Sequence, residues 1–331
     1  MSTETRQYKH YRVCGLQIGS SIAFPELQAL PESAERPAFD MEFELGDGPL
    51  PPVPTNAIMT LDQADGSPWL SCSRTAAGYR FHFDGLADFL VDRLGRQVRC
   101  VAPPDTPPET IRHLFLDQVI PPLLNLRGSE ALHASAVETG DGACAFIGMS
   151  GQGKSTLAAA FHAAGHAILC DDCLLLHNDS DRISVAPAYP GLRLWDDSRG
   201  FLFGDAQNTL PVSHYNDKRR IAAEASDAES GELVPLRGIY SLLLEQEEGL
   251  LAAPLILPLS VRDAFMELVS YAFRLDLSDQ AMILRQMQFL ERVAEKVPVK
   301  RLRLPRKLAA LVPAQELILR DLQQAADGAC A

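Results

Sequence analysis

The sequence predicts an α/β protein in two parts, a smaller β-rich N-terminal domain over residues 1–128 and a larger α/β domain over residues 129–331. Three observations predict it. Residues 143–172 write, in order, an apolar strand, a glycine-rich turn, an alanine-rich helix and a second apolar strand, which is the order of a β–α–β unit. Upstream of residue 128 the chain is mostly short strand-like pieces divided by Pro, Gly and Asp, whereas beyond residue 238 strands and longer helices alternate. A length of 331 residues suits two modest domains, and a 47 % hydrophobic share supplies a core for each.

In the N-terminal part, Tyr11-Arg12-Val13-Cys14-Gly15-Leu16-Gln17-Ile18 and Gly78-Tyr79-Arg80-Phe81-His82-Phe83 read as strands, with the Pro-rich link Pro49-Leu50-Pro51-Pro52-Val53-Pro54 between them. One amphipathic helix follows from Pro108 to Arg127, expected to bend or break at Pro121-Pro122, where two backbone donors are missing. Arg127-Gly128-Ser129 is the expected boundary. No residue of this part declares a chemistry, and it reads as an accessory domain.

Ala143-Cys144-Ala145-Phe146-Ile147 is the strand that feeds Gly148-Met149-Ser150-Gly151-Gln152-Gly153-Lys154-Ser155-Thr156, a phosphate-binding loop. Its glycines let successive N–H groups turn inward toward phosphate oxygens, Lys154 is spaced to reach the β and γ phosphates, and the Ser155 hydroxyl to bind Mg²⁺. Thr156 to Ala164 is strongly helix-forming and stops at Gly165, so the loop sits at a helix N-terminus whose dipole favours an anion. The loop is expected to bind a nucleoside triphosphate, ATP, with Mg²⁺.

The next strand, Ala167-Ile168-Leu169-Cys170, ends at Asp171-Asp172. If it is a parallel neighbour of the first strand, both carboxylates return to the edge that carries the loop. One carboxylate can then help to hold Mg²⁺ while the other accepts the proton of an attacking hydroxyl. The plainer alternative is a turn or a helix cap.

The ordered set Leu132-His133-Ala134-Ser135-Ala136, then Gly148 to Ser155, then Gly165-His166 and Asp171-Asp172, resembles the catalytic domain of the HPr kinase/phosphorylase family. It is most similar to the members that act on ribosomally made peptides such as lasso peptides. The resemblance holds in motif form over residues 130–190 and extends weakly over most of the chain. It implies the P-loop-containing, PEP carboxykinase-like fold of the HPr kinase C-terminal domain, preceded here by the smaller β-rich domain. It implies Asp172 as proton acceptor, Lys154 and His133 as catalytic partners at the phosphate, and Ser155 with Asp171 on the metal. A lone histidine in the alternating stretch around His133 would otherwise read as structural.

Downstream, Cys173 to His177 and Arg182 to Val185 flank Asn178-Asp179-Ser180-Asp181 as a β-hairpin. In the family, the following region carries a metal-binding glutamate in a Gly-rich motif, and Tyr189-Pro190-Gly191-Leu192-Arg193-Leu194-Trp195-Asp196-Asp197 has no clear counterpart. Asp197 or Asp196 could substitute for it, and Arg193 could contact phosphate or peptide, or all three are surface charges beside a turn. Lys218-Arg219-Arg220 is either a solvated face or a source of cationic donors for the transferred phosphoryl group, as a family arginine is.

Strands are expected at Gly238–Leu244 and Val299–Pro305, helices near Ser260–Ala272 and Ser278–Lys296, and a last helix from about Pro313. Arg301 and Arg303 read as the wet face of an edge strand, or as facing a nucleotide or an acidic peptide. A net charge of −13 argues against a nucleic-acid partner, which is held by broad basic surfaces. The scattered cysteines fit reduced thiols of a cytoplasmic protein, and Cys170-Asp171-Asp172-Cys173 lacks the second pair a zinc site needs. Met1-Ser2-Thr3-Glu4-Thr5-Arg6 has no signal-peptide core, and no apolar run reaches membrane-spanning length.

The expectation is an Mg²⁺- and ATP-dependent kinase acting on a serine of a peptide or protein partner, in particular a peptide precursor, with no nucleic-acid or membrane partner and with a homo-oligomer left open. HPr-type kinase/phosphorylase action, small-molecule phosphorylation and nucleotide binding without transfer remain alternatives.

Overall fold

The computed structural model describes residues 8–31, 38–52, 55–62, 66–179, 181–188, 191–204, 209–221, 232–245 and 251–329. Residues 1–6, Val53-Pro54, Ser180 and Tyr189-Pro190 of the segments read above lie outside them. The chain forms two compact units: the first takes in the residues up to Gly128 with Ser213–Tyr215 and Arg274–Ile283, and the second takes in Ser129–Val212, Asn216–Phe273 and the residues from Leu284 onward. Among the described residues no helix is long and apolar enough to cross a membrane.

The first unit is built on eight strands: β1 (Lys9–Val13), β2 (Leu16–Ser20), β3 (Met41–Leu45), β4 (Ala57–Asp62), β5 (Pro68–Arg74), β6 (Gly78–Phe83), β7 (Ala87–Asp92) and β8 (Gln97–Val101). They form one sheet in the order β1-β2-β3-β8-β7-β6-β5-β4, with β3 parallel to both its neighbours and the other pairs antiparallel. The predicted helix is one helical run with changing pitch. It passes from α1 (Pro108–Leu114) through a π turn at Phe115–Val119 to α2 (Ile120–Leu123) and a 3₁₀ turn at Leu124–Arg127. The prolines do not break it: the run stays helical through Pro121-Pro122. A proline ring crowds the carbonyl four residues back, and the wider turn, closed by Ile120 N–H on Phe115 O, makes the room just upstream. Phe115 is thereby set against Phe43 at 4.4 Å between ring centroids and against Phe24 at 5.6 Å, in a buried aromatic core.

In the second unit the chain runs β9 (Glu130–Leu132), β10 (Ala134–Thr139), β11 (Gly142–Ile147), α3 (Lys154–Ala163), β12 (Ile168–Cys170), β13 (Leu174–Asn178), β14 (Ile183–Ala186), β15 (Leu192–Leu194), α4 (Asp196–Phe203), β16 (Thr209–Ser213), β17 (Asn216–Ile221) and β18 (Val234–Leu244). It ends with β19 (Leu255–Pro258), α5 (Val261–Tyr271), α6 (Gln280–Lys296), β20 (Val299–Leu304) and α7 (Leu311–Ala329). The main sheet is ordered β12-β10-β11-β18-β14-β13-β9, with β20 beside β18 and β19 beside β20, while β15, β17 and β16 make a separate three-stranded sheet. The hairpin predicted around Asn178 is β13–β14.

Strand β11 shows why this sequence reads as an unbroken apolar run: both its faces are buried. Ala143, Ala145 and Ile147 join the cluster that includes Ala264 and Leu268 of α5 and Leu290 and Val293 of α6. Cys144 and Phe146 join the opposite cluster, with Leu157 to Phe161 of α3 and Ala314 and Ile318 of α7. The result is a helix–sheet–helix sandwich.

Two expectations need correction here. Strands β11 and β12 are not neighbours, because β10 lies between them, antiparallel to each. They still run the same way, so β12 delivers its C-terminal end to the edge that carries the loop. Strand β20 is not an edge strand: it pairs parallel with β18 and antiparallel with β19, and Arg301 and Arg303 are engaged by Glu267 and Glu245. The edge position belongs to β19.

Candidate active site

Strand β11 ends at Ile147, the loop follows, and α3 begins at Lys154, two residues ahead of the expected Thr156. Gly153 stands at the start of the helix with φ 89°, a left-handed backbone that a side chain would strain, and no side chain caps the helix there. The first-turn N–H groups are thus left for an anion. At the other end Gly165 (φ 94°) stops the helix as predicted, its N–H donating to His162 O at 2.9 Å. Gln152 ties the loop to the end of β18, its Oε1 accepting from Leu244 N–H at 2.7 Å, while Met149 is 68 % exposed.

Lys154 is buried, and its ammonium donates to the carbonyls of Gly148 at 2.8 Å and Met149 at 3.3 Å. Burial pulls its pKa down, and the charges of Asp172 and Asp171 partly offset this.

Asp171 is the hub of the site. It is 2 % exposed. Its Oδ1 accepts from Ser135 Oγ at 2.6 Å and from Ser155 Oγ of the loop at 2.9 Å, and its Oδ2 accepts from Arg193 N–H at 3.0 Å. Burial and the adjacent Asp172 raise its pKa, against the opposing pull of Arg193 and the Ser135 hydrogen bond. Ser135 was quoted above as part of a motif and not as a site residue. It lies on β10, two positions after His133, which stands at the bend between β9 and β10.

Asp172 has φ 74°; among the described non-glycine residues only Cys14 shares a positive φ. Such a backbone costs roughly 1–2 kcal/mol and needs holding. Arg193 holds it: its buried guanidinium donates to the Asp172 carboxylate and to Asp171 O at 3.2 Å. His133 Nε2 lies 3.9 Å from Asp172 Oδ1. Burial works against the ionised Asp172, but Arg193, then His133, Lys218 and Lys154 outweigh it and hold the carboxyl well below the usual carboxylate range. The His133 imidazole, its backbone N–H on Tyr271 O at 2.7 Å and its ring edge-on to Phe273, is lowered to about 4 by desolvation and neighbouring cations, against the attraction of Asp172.

Arg193 is therefore not a surface charge beside a turn. It faces Arg220 across the β15–β17 ladder, where Leu192 pairs with Ile221 and Leu194 with Arg219. Directly opposed like charges destabilise a sheet unless something offsets them, and here Asp172 does so for Arg193. The expected basic cluster is split by strand alternation: Arg220 is buried, Lys218 half-buried and Arg219 exposed. Lys218 sits 5.7 Å from the Trp195 ring centroid, and its charge acts on Asp172, His133 and Lys154. Asp197 turns to the start of α4, accepting from Ser198 N–H at 2.6 Å, and Thr156 Oγ1 donates to Ser198 Oγ at 3.4 Å. Asp196 pairs with Arg199.

The donor set suits Mg²⁺, a hard cation that takes one or two protein oxygens and leaves the rest to substrate phosphates. Asp171 and Ser155 would supply those oxygens, next to an anion-binding loop. Among the described residues no three acidic, His or Cys side chains gather as an all-protein metal cage.

No protein-family model matches the chain, and no curated protein matches it. Among solved structures it is similar to the Hpr(Ser) kinase/phosphatase from Coxiella burnetii, at 13 % sequence identity and a TM-score of 0.31, over 59 % of this chain and 97 % of that one.

Proposed function

We propose that this chain is a kinase that moves the γ-phosphoryl group of ATP, with Mg²⁺, to a serine hydroxyl of a peptide or protein, and that its acceptor is a ribosomally made peptide precursor of the lasso type. The observation that carries the reading is the pairing of the two aspartates: Asp171 shares a hydrogen bond with Ser155 of the phosphate loop, while Asp172 is displayed by a left-handed backbone and clamped by Arg193. Bound Mg²⁺ would draw charge from the phosphates. The loop and first-turn N–H groups cradle the phosphates, and Lys154 and Lys218 bring positive charge to the same place. Asp172 accepts a hydrogen bond from the acceptor hydroxyl and orients it for in-line attack. A carboxylate held so firmly ionised is a weak base, so it takes the proton only late, as the new O–P bond forms, which suits a loose transition state. We assign the chemistry to residues 129–331 and recognition or assembly to residues 1–128, in a cytoplasmic protein. The test is mass spectrometry of candidate precursor peptides after incubation with the protein, Mg²⁺ and ATP, with Lys154→Ala as control. A gain of phosphate on serine that disappears in the control supports the reading; ATP binding with no transfer to any peptide removes it.

A further inference from the structure

Ser135 is a hydroxyl in an apolar place. Strand β10 alternates: Ala134 and Ala136 join the buried cluster on the side of α5 and α6, while Val137 joins the one on the side of α3 and α7. Ser135 stands directly across from Phe146 of β11, which belongs to that second cluster, so alternation sets Ser135 on the side of the helix that carries Lys154 and Ser155. It is wholly buried. A hydroxyl there costs free energy unless it finds a partner, and the partner it finds is the Asp171 carboxylate, 36 residues further on, at 2.6 Å.

An ionised carboxylate offers about four lone-pair positions to donors or to a cation. Oδ1 of Asp171 receives both serines, Ser135 and, at 2.9 Å, Ser155 of the loop, while Oδ2 receives Arg193 N–H at 3.0 Å. The two serines differ in what else they can do. Ser155 opens the loop helix and keeps lone pairs to offer a cation, whereas Ser135 lies inside the strand layer and donates to Asp171. Two roles compete for Ser135: satisfying a buried carboxylate so that the fold tolerates it, or holding that carboxylate at the angle at which it and Ser155 meet a cation. Geometry separates them. A bond that served tolerance alone would do as well on Oδ2, but this one goes to the oxygen that Ser155 shares, so the anchor of Asp171 and the hydroxyl expected on the metal are joined through a single atom. Its length is that of a hydroxyl bound to a charged acceptor.

We propose that Ser135 is a positioning residue for the metal: by holding Asp171 Oδ1 beside Ser155 Oγ, it presets the two protein oxygens for a hard divalent cation before the nucleotide arrives. This rests on the reading of Asp171 and Ser155 as the Mg²⁺-binding pair of the kinase proposed above, and its test reads binding without transfer. Isothermal titration gives the affinity for a non-hydrolysable ATP analogue with Mg²⁺ and again with a chelator in its place, and the ratio of the two is the contribution of the metal. Ser135→Ala is expected to lower the affinity with Mg²⁺ by about tenfold, the low end of what losing a group bonded to a metal ligand costs, and to leave the affinity in chelator unchanged. Ser184→Ala, at an equally buried serine of β14 in the same sheet, is expected to change neither. Ser135→Cys, close in size but only a weak donor, is expected to fall between and carries the same test should the alanine variant not fold. A ratio unchanged in the Ser135 variants, with Mg²⁺ tightening binding to the wild type, overturns the proposal and leaves the kinase reading standing. An equal loss with Mg²⁺ and with chelator overturns it too, since the serine is then a support of the fold alone, as does a matching fall in Ser184→Ala. Wild-type binding that Mg²⁺ does not tighten removes the metal pair and the proposal with it. The expected loss of ratio in a protein that transfers phosphate to no peptide keeps Ser135 in its role and sinks the kinase reading instead.

Discussion

Removal of the Arg193 side chain tests whether the site is held together by its ion pair. In Arg193→Ala the Asp172 carboxylate keeps its buried place and its left-handed backbone but loses the guanidinium that holds it, and Asp171 O loses a donor. With the arginine side chain 1 % and the aspartate 17 % exposed, solvent screens little of this. Breaking a buried pair from one side costs about 3–5 kcal/mol, a large part of the stability of a typical domain. The assay is urea unfolding at neutral pH, reading the transition that Mg²⁺-ATP shifts upward, since ligand binding stabilises only the unit that binds. Asp172→Asn and the double variant complete a cycle. The double variant should be less destabilised than the sum of the singles by about 2 kcal/mol or more, because removing both partners leaves no buried charge unanswered. A single-variant cost under about 1 kcal/mol, or additivity within about 0.5 kcal/mol, would refute the idea that Arg193 and Asp172 act as one unit.

Two further outcomes can be checked more simply. Asp172→Asn should keep ATP affinity and lose transfer, whereas Lys154→Ala should lose both; isothermal titration with ATP beside a phosphate-incorporation assay separates them, and near-normal transfer by Asp172→Asn would take that residue out of its role. In the first unit Asp276 is buried but accepts from Ser278 N–H at 2.9 Å and Ser278 Oγ at 2.6 Å and pairs with Arg74 at 2.6 Å, so its pKa falls below the usual range despite the opposing burial. A depressed folded pKa means that its stabilisation is whole above the unfolded value near 4 and fades as pH drops through the folded value. Asp276→Asn should therefore flatten the acid limb of unfolding below about pH 4, and an unchanged limb would show that the carboxylate carries no such weight.

The local parts of the site could be read directly from the sequence. The strand before Gly148, the helix after Gly153 and its stop at Gly165 each follow from residues a few positions apart, where propensity and periodicity decide. What could not be read depends on partners far along the chain. The place of β10 between β11 and β12 is set by pairing across the sheet, which leaves no mark on the apolar pattern of any one strand. Arg193 was left open between a phosphate or peptide contact and a surface charge, because its burial comes from the register with β17 and from Asp172, neither of which its neighbours announce. Strand β20 looked like an edge because its alternating Arg301 and Arg303 are the usual sign of one, while Glu267 and Glu245 were hidden on other elements. Ser135 too takes its role from a distant partner, the Asp171 carboxylate that accepts its hydrogen bond from the end of another strand.

The pairing of β18 has a consequence in time. Strand β11 meets its antiparallel partner β10 at once, but its other neighbour, β18, brings Ser241 to Ile147, and β18 in turn is flanked by β20 up to Leu304. Parallel, long-range pairings of this kind form slowly and late. As the chain leaves the ribosome, the phosphate-loop motif is complete long before the strand that anchors Gln152 exists, so a nascent chain halted after β12 carries the whole motif and yet lacks the support of a working site. The last elements synthesised in the sheet decide when the earliest motif begins to bind.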